Sequence, residues 1–250
     1  MTTLKDRQNF VRNVKLSIPP PPSTAAAEDD TAAVVGSSVI LFVGNLSEQQ
    51  RSDVINSSLF AQLAASAQYD RFKEDQVAKW YGVYRNTLEN IGWIVESFSF
   101  IDIDNANRYG SVDKAIISIM EAFLTPTLVE TFKAMIYAFK RPDMEEAYTL
   151  FKSKSWKDTT ADFQTGVCVG DSGSNVKWRF GAYRYQASGF DGDVLFFRFG
   201  ADPVPFRCNT QDMVLNEAIY ATLRDAIIDK LGDRAEDNVR IIPLNQLTRK

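Results

Sequence analysis

The 250-residue sequence contains no histidine and only two cysteines, Cys168 and Cys208. Without imidazole there is no Ser-His-Asp triad, no Cys-His dyad and no histidine-ligated zinc, iron or copper site. Two thiols are too few for a thiolate-only zinc site or for a disulfide framework, and they predict free cysteines in a reducing compartment. Positive charge is also in short supply: 28 Lys and Arg stand against 32 Asp and Glu, a formal net charge of −4. No basic cluster interrupts that balance, which argues against a nucleic-acid partner. Long apolar runs are missing as well. The longest, 32–44, falls short of the ~20 residues of a bilayer span and reads as a buried segment of a fold. Near the start, Lys5, Asp6, Arg7, Arg12 and Lys15 break up what a secretory signal would keep apolar. Together these absences predict a cytoplasmic location.

What is present suits a globular protein, with 45% hydrophobic and 24% charged residues. Residues 1–38, with prolines at 19–22 and a polar, Ala-rich stretch after them, read as a disordered tail and linker. Residues 39–250 are then a single domain. Ser47 followed three residues later by Gln50 is a capping-box signature, and Ile55, Leu59 and Leu63 repeat at helical spacing, so a helix is expected over 47–69. A second is expected over 74–90, with Val77, Trp80, Tyr84 and Leu88 on one stripe and Gly92 as its stop. The aromatic and β-branched stretch 93–103 predicts a strand. Three helices are expected over 113–124, 127–140 and 143–151, with Pro126 and Pro142 at helix starts.

Beyond residue 160 the pattern changes. Segments 163–169, 176–187 and 193–199 read as an antiparallel meander. A long helix is expected over 211–231, aligned on Leu215, Ile219, Leu223, Ile227 and Leu231 and stopped by Gly232. A short edge strand is expected over 239–244. The fold class is therefore α+β, layered, with a mostly antiparallel sheet packed with several helices.

Two motif matches lose their force on inspection. Gly170-Asp171-Ser172-Gly173 spells a serine-protease nucleophile loop, but that serine needs an imidazole base, so a hairpin turn is the simpler reading. Asp102-Ile103-Asp104 fails as an EF-hand, because glycine is absent at Asn107 and an oxygen ligand at Ala106; it reads as a solvated strand end. No metal site is expected.

Cysteine is the remaining lead. Cys208 precedes Asn209, which can cap the expected C-terminal helix, and the positive end of a helix lowers a thiol's pKa. Cys168 lies in the expected strand 163–169, beside a sheet rich in Trp178, Phe180, Tyr183, Phe196, Phe197 and Phe199. Free cysteine is among the most buried residue types, so the plain reading of either thiol is a small hydrophobe in a core.

The run Phe42-Val43-Gly44-Asn45-Leu46-Ser47-Glu48-Gln49-Gln50, the helix beginning Asp53-Val54-Ile55-Asn56, Trp80-Tyr81, Asn90-Ile91-Gly92-Trp93, Ser97-Phe98 and Met213-Val214-Leu215-Asn216 together resemble the Erwinia virulence factor (Evf) family, over roughly 40–232. The resemblance implies an α/β domain with an internal apolar cavity and a long fatty acyl chain, palmitoyl or similar, held as a thioester on one cysteine. It also implies a role in bacterial persistence in the insect gut. The family's acylated cysteine corresponds best to Cys168, whereas the helix-end reasoning favours Cys208; both stay open here. Candidates for the cavity wall are Leu59, Leu63, Trp93, Phe98, Trp178, Phe180 and Phe197. The implied partners are an acyl-CoA donor and a membrane lipid surface, with no further cofactor. A cysteine-dependent thioesterase or acyltransferase is the alternative, with Asp162, Glu96 or Asp102 as the only available type of base. Noncovalent fatty-acid binding, or a purely structural role, is a further one.

Overall fold

The computed structural model describes residues 2–17, 31–95, 98–170, 175–188 and 193–244. Its strands are β1 (Thr31–Val35), β2 (Ser38–Val43), β3 (Trp93–Ile94), β4 (Ile101–Asp102), β5 (Trp156–Lys157), β6 (Thr160–Gly170), β7 (Val176–Gln186), β8 (Phe206–Leu215) and β9 (Val239–Pro243). The helices are α1 (Leu4–Asn13), α2 (Glu48–Ser66), α3 (Val77–Asn90), α4 (Val112–Glu121), α5 (Pro126–Ala138), α6 (Glu145–Ser155), α7 (Glu217–Ala221), α8 (Arg224–Leu231) and α9 (Arg234–Asn238). Among the described residues the strands form one sheet in the order β3-β8-β7-β6-β2-β1-β9, with β4 on β8 and β5 on β6. The β2–β6 pair is parallel and the other described pairs are antiparallel. The expected class, a mostly antiparallel sheet layered with helices in one body, is what the chain adopts.

Alternation along the strands divides the interior in two. One apolar cluster joins Val39, Leu41, Phe163, Val167, Tyr183, Tyr185, Phe206 and Cys208 to α4, α5 and α6. The other joins Ile40, Phe42, Cys168, Trp178, Phe180 and Met213 to α2, α3 and α8. The sheet is thus covered on both sides, which is why its central strands are almost continuously buried. No helix among the described residues is long and apolar enough to cross a membrane.

The sequence places α2 and α3 well. Ser47 caps α2, accepting from the Gln50 backbone N–H at 3.1 Å while its own backbone N–H donates to Gln50 Oε1 at 2.9 Å. Gly92 follows α3 with φ +106°, a conformation open to glycine. The edge strand expected over 239–244 is β9, paired with β1 at the end of the sheet.

Four expectations are corrected. Residues 1–38 do not read through as a tail: 4–13 form α1, whose Val11 is fully buried, and 31–35 form a buried strand of the sheet. Little in the sequence marks α1, which needs only a narrow apolar edge against its neighbours; β1 lies at the start of the apolar run 32–44, whose first residues follow the polar, Ala-rich stretch and read as linker with it. Residues 18–30 lie outside the described ones. The strand expected over 93–103 is only two short pairings with β8, at Trp93–Ile94 and Ile101–Asp102. Residues 193–199 contribute a lone bridge, Arg198 to Ser111, rather than a strand; the third strand of the meander is β8. Finally, the single helix expected over 211–231 begins late and is broken at Thr222–Leu223 into α7 and α8. Phe206, Cys208, Gln211, Met213 and Leu215 are buried in β8, and Leu215 belongs both to this run and to the helical repeat that follows. The true cap is Asn216, whose side chain accepts from the Ile219 N–H at 3.2 Å.

Candidate functional site

Strand pairing sets side chains in rows on the α2–α3 face. Phe42, Cys168, Trp178 and Met213 are opposite one another across β2, β6, β7 and β8. The next row is Ile40, Gly166, Phe180 and Gln211, then Ser38, Gln164, Ala182 and Asn209, then Asp162, Arg184 and Arg207. Along β6 the face therefore passes from thiol to carboxylate, at period 2, through Gly166 and Gln164.

The apolar end surrounds Cys168. Its side chain is fully buried, and burial alone raises its thiol well above the ordinary value. Trp178 lies across Gly166: a Cβ built there would meet the indole Nε1 at 2.2 Å and the Arg179 carbonyl oxygen at 2.6 Å, so only glycine leaves room for the ring. Trp93 packs edge-on to Trp178 at 5.7 Å, and Phe180 edge-on at 5.1 Å. The indole N–H groups of Trp93 and Trp178 are both buried with no hydrogen-bond acceptor among the described residues. Buried donors of this kind ordinarily find a partner; Trp178 is the cross-strand neighbour of Cys168, and Trp93 packs on Trp178 from the far side.

The polar end is a connected network. Tyr81 donates to Asp162 Oδ1 at 2.8 Å and accepts from Gln164 Nε2 at 3.2 Å. Ser38 donates to Gln164 Oε1 at 2.6 Å, and Gln62 Nε2 donates to Ser38 Oγ at 3.1 Å and to the Val35 carbonyl at 2.9 Å. Arg184 pairs with Asp162 at 3.3 Å, both side chains being almost wholly enclosed, and also binds the Arg71 carbonyl at 2.7 Å and Glu74 at 3.0 Å. Burial pushes the Asp162 carboxyl up, opposed by the Arg71 and Arg184 guanidiniums.

Leu59, Leu63, Trp93, Trp178 and Phe180 join the same cluster as Cys168, with Phe98 packed against it. Phe197 does not: it packs on the α4–α6 side, where it stacks on Tyr185. Cys208 is on that side too, in the row of Phe163 and Tyr183. The helix-end argument for Cys208 is overturned, because Cys208 and Asn209 lie inside β8. Asn209 Nδ2 donates to the Ser99 carbonyl at 3.0 Å instead of its side chain capping a helix, and burial pushes the Cys208 thiol up to about 11.

Of the carboxylates considered as bases, Asp162 is on the face of Cys168 but six residues away along β6, roughly 20 Å at strand rise. Asp102 is exposed at the sheet edge and pairs with Arg207 at 2.9 Å. Glu96 lies outside the described residues, as do 171–174 of the Gly-Asp-Ser-Gly match. Arg71, Gln62, Gln164 and Tyr81 were not singled out from the sequence; the period-2 placement of Gln164 and Asp162 with Cys168 was the available signal. Among the described residues no group of three or more Asp, Glu or Cys side chains is arranged to hold a metal ion.

No family model matches the chain, and no curated protein does. The solved structure of the Evf virulence factor aligns with 92% of this chain and 90% of that one, at a TM-score of 0.37 and 12% sequence identity. The chain is similar to Evf. This is the protein whose family the sequence resembles.

Proposed function

We propose that the protein carries a long-chain fatty acyl group, palmitoyl or similar, as a thioester on Cys168, with the chain sheltered on the α2–α3 face of the sheet. The observation that carries this reading is the setting of the thiol: fully buried in an aromatic cluster, with Trp178, whose indole N–H has no acceptor among the described residues, as its cross-strand neighbour. A thioester carbonyl is an acceptor. Acyl-CoA is the donor; the cysteine sulfur, as thiolate, attacks the acyl carbonyl carbon, the bond to the CoA sulfur breaks, and the CoA thiolate takes up the proton. Neither histidine nor metal is required.

Two features favour a held acyl group over turnover. The raised Cys168 thiol is a poor nucleophile while enclosed, so loading takes place when the helix layer opens. Hydrolysis would need a base near the thioester, and the Asp162 carboxylate is distant. Burial of a long saturated chain contributes roughly 10 kcal/mol at about 0.8 kcal/mol per methylene, less the cost of parting the packed side chains. Released from the fold, a single chain gives only reversible membrane binding, which suits a protein that docks on a lipid surface in an insect host.

Intact-mass spectrometry of protein from its native host, before and after neutral hydroxylamine, tests this. An acyl-sized loss is expected in the wild type and in Cys208→Ser, and no adduct in Cys168→Ser. Absence of the loss in the wild type, or its persistence in Cys168→Ser, defeats the proposal; lipid removed by organic solvent alone indicates noncovalent binding instead.

A further inference from the structure

Beyond the polar end of the network, a cavity of about 560 Å³ opens between α2, the turn after it and the end of α6. Leu59 and Leu63 form part of its wall, and neither cysteine does. Its charged lining is three cations, Arg71, Lys154 and Lys157, and one anion, Asp70, in a chain whose net charge is −4.

Lys157 and Asp70 pair with each other at 2.9 Å. Arg71 and Lys154 have no carboxylate within ion-pair distance among the described residues. Arg71 is only 7% exposed. It donates one hydrogen bond to Ser37 Oγ and one to the Lys154 carbonyl, and its guanidinium lies 5.0 Å over Phe72 and 5.2 Å over Trp80. A guanidinium has five N–H donors, so among the described residues these two bonds leave three. Lys154 is half-buried; burial lowers its ammonium pKa, Asp237 opposes that, and Arg71 reinforces it. Burial lowers the Arg71 guanidinium pKa too, opposed at longer range by Asp162 and Asp70; two cations that repel each other at one desolvated wall gain further from an anion that touches both. A planar fork beside a flexible ammonium matches the oxygens of a phosphate.

We propose that this cavity binds a phosphate monoester, with the phosphate between Arg71 and Lys154. The cavity falls within the ordinary range of small-molecule sites, roughly 300–1,000 Å³, and is larger than a bare phosphate needs. The rest of the wall mixes Ser66, Gln68 and Ser153 with Leu59, Leu63 and Tyr69, so it suits a small organic part with both hydroxyl and carbon surface. The site is independent of the acyl thioester and is testable on protein lacking it.

The test is calorimetric titration of the full chain carrying Cys168→Ala with glycerol 3-phosphate, inorganic phosphate and acetate. Saturable binding is expected, tightest for the monoester, weaker for inorganic phosphate and weakest for acetate. Lys154→Ala is expected to weaken it by about tenfold or more, and Arg71→Lys at least as much, because a lysine loses the fork. Lys230→Ala, whose ammonium binds the Arg12 carbonyl elsewhere, should leave it unchanged. No binding at millimolar monoester, full affinity in Lys154→Ala, or acetate as tight as the monoester overturns the proposal. Should Arg71→Lys fail to fold by circular dichroism, Lys154→Ala decides the question alone.

Discussion

Cys168 and Cys208 stand on strands separated only by β7, yet they face opposite layers of the molecule. Under α4, α5 and α6, the Cys208 row is closed by rings: Tyr183 stacks on Phe163 at 5.6 Å, and Phe163 meets Phe151 of α6 edge-on. Under α2 and α3 the packing changes character along the strands. It is aromatic around Cys168, then amide and hydroxyl at Gln164 and Ser38, then ionic at Asp162 and Arg184. The contrast teaches that burial alone does not set a thiol apart. Each thiol has as cross-strand neighbour a ring whose polar atom is buried without a partner among the described residues, Trp178 for Cys168 and Tyr183 for Cys208. What distinguishes Cys168 is the polar network that continues along its own face of β6.

The largest expected effect that sharpens this contrast comes from Asp162→Ala. Removing the carboxylate leaves the enclosed Arg184 with only the exposed Glu74 as counter-charge and takes away the acceptor of the buried Tyr81 hydroxyl, which costs about 3 kcal/mol, read from the urea midpoint. A loss below about 1 kcal/mol would mean the ionic end of the face contributes no more than a surface pair does.

The Cys208 side gives the next effect, through pH. Its thiol titrates near 9 when unfolded and is pushed up to about 11 by burial. Between those values the folded state keeps a proton that the unfolded state has lost, so this group's contribution to stability is complete below pH 9 and declines as pH rises toward 11. The decline amounts to on the order of 2 to 3 kcal/mol. Denaturation of wild type and Cys208→Ala at pH 8 and pH 10.5 should show the wild type losing more over that interval; parallel losses would break the assignment.

The smallest of the three tests the boundary that moved Cys208 away from a helix end. Asn216→Ala removes the side-chain acceptor at the start of α7 and is expected to cost about 1 kcal/mol. Helix content by circular dichroism should fall only slightly, since α7 spans five residues.

Much of the fold was legible because its signals are local. The Ser47 and Gln50 cap, the stripe of Val77, Trp80, Tyr84 and Leu88, and the turn glycines each act within a few residues, and the helices and the β6–β7 hairpin fall where these put them. β8 was misread because Leu215 fits both a period of two and a period of four, and only pairing with β7 decides between them. β1 was misread because a short run of Thr, Ala and Val gains its stability from being sandwiched between β2 and β9, which no local pattern displays. At the site, Trp178 and Phe180 were anticipated beside Cys168, but Tyr183, Phe196 and Phe199, grouped with them in the sequence, pack on the opposite face. Phe197 was not correctly placed, since its strand was absent and with it the alternation that would have assigned its face.

By itself the sequence determined the excluded chemistry, the layered helix-and-sheet class and the resemblance to Evf, because composition, caps and periodicity are properties of the chain. The tertiary structure alone decided which layer of the molecule each thiol faces, and that Arg71, distant in sequence from Lys154, shares a cavity with it. Sheet register fixes the first, and the meeting of the turn after α2 with the end of α6 fixes the second; both arise only when segments remote along the chain are brought side by side.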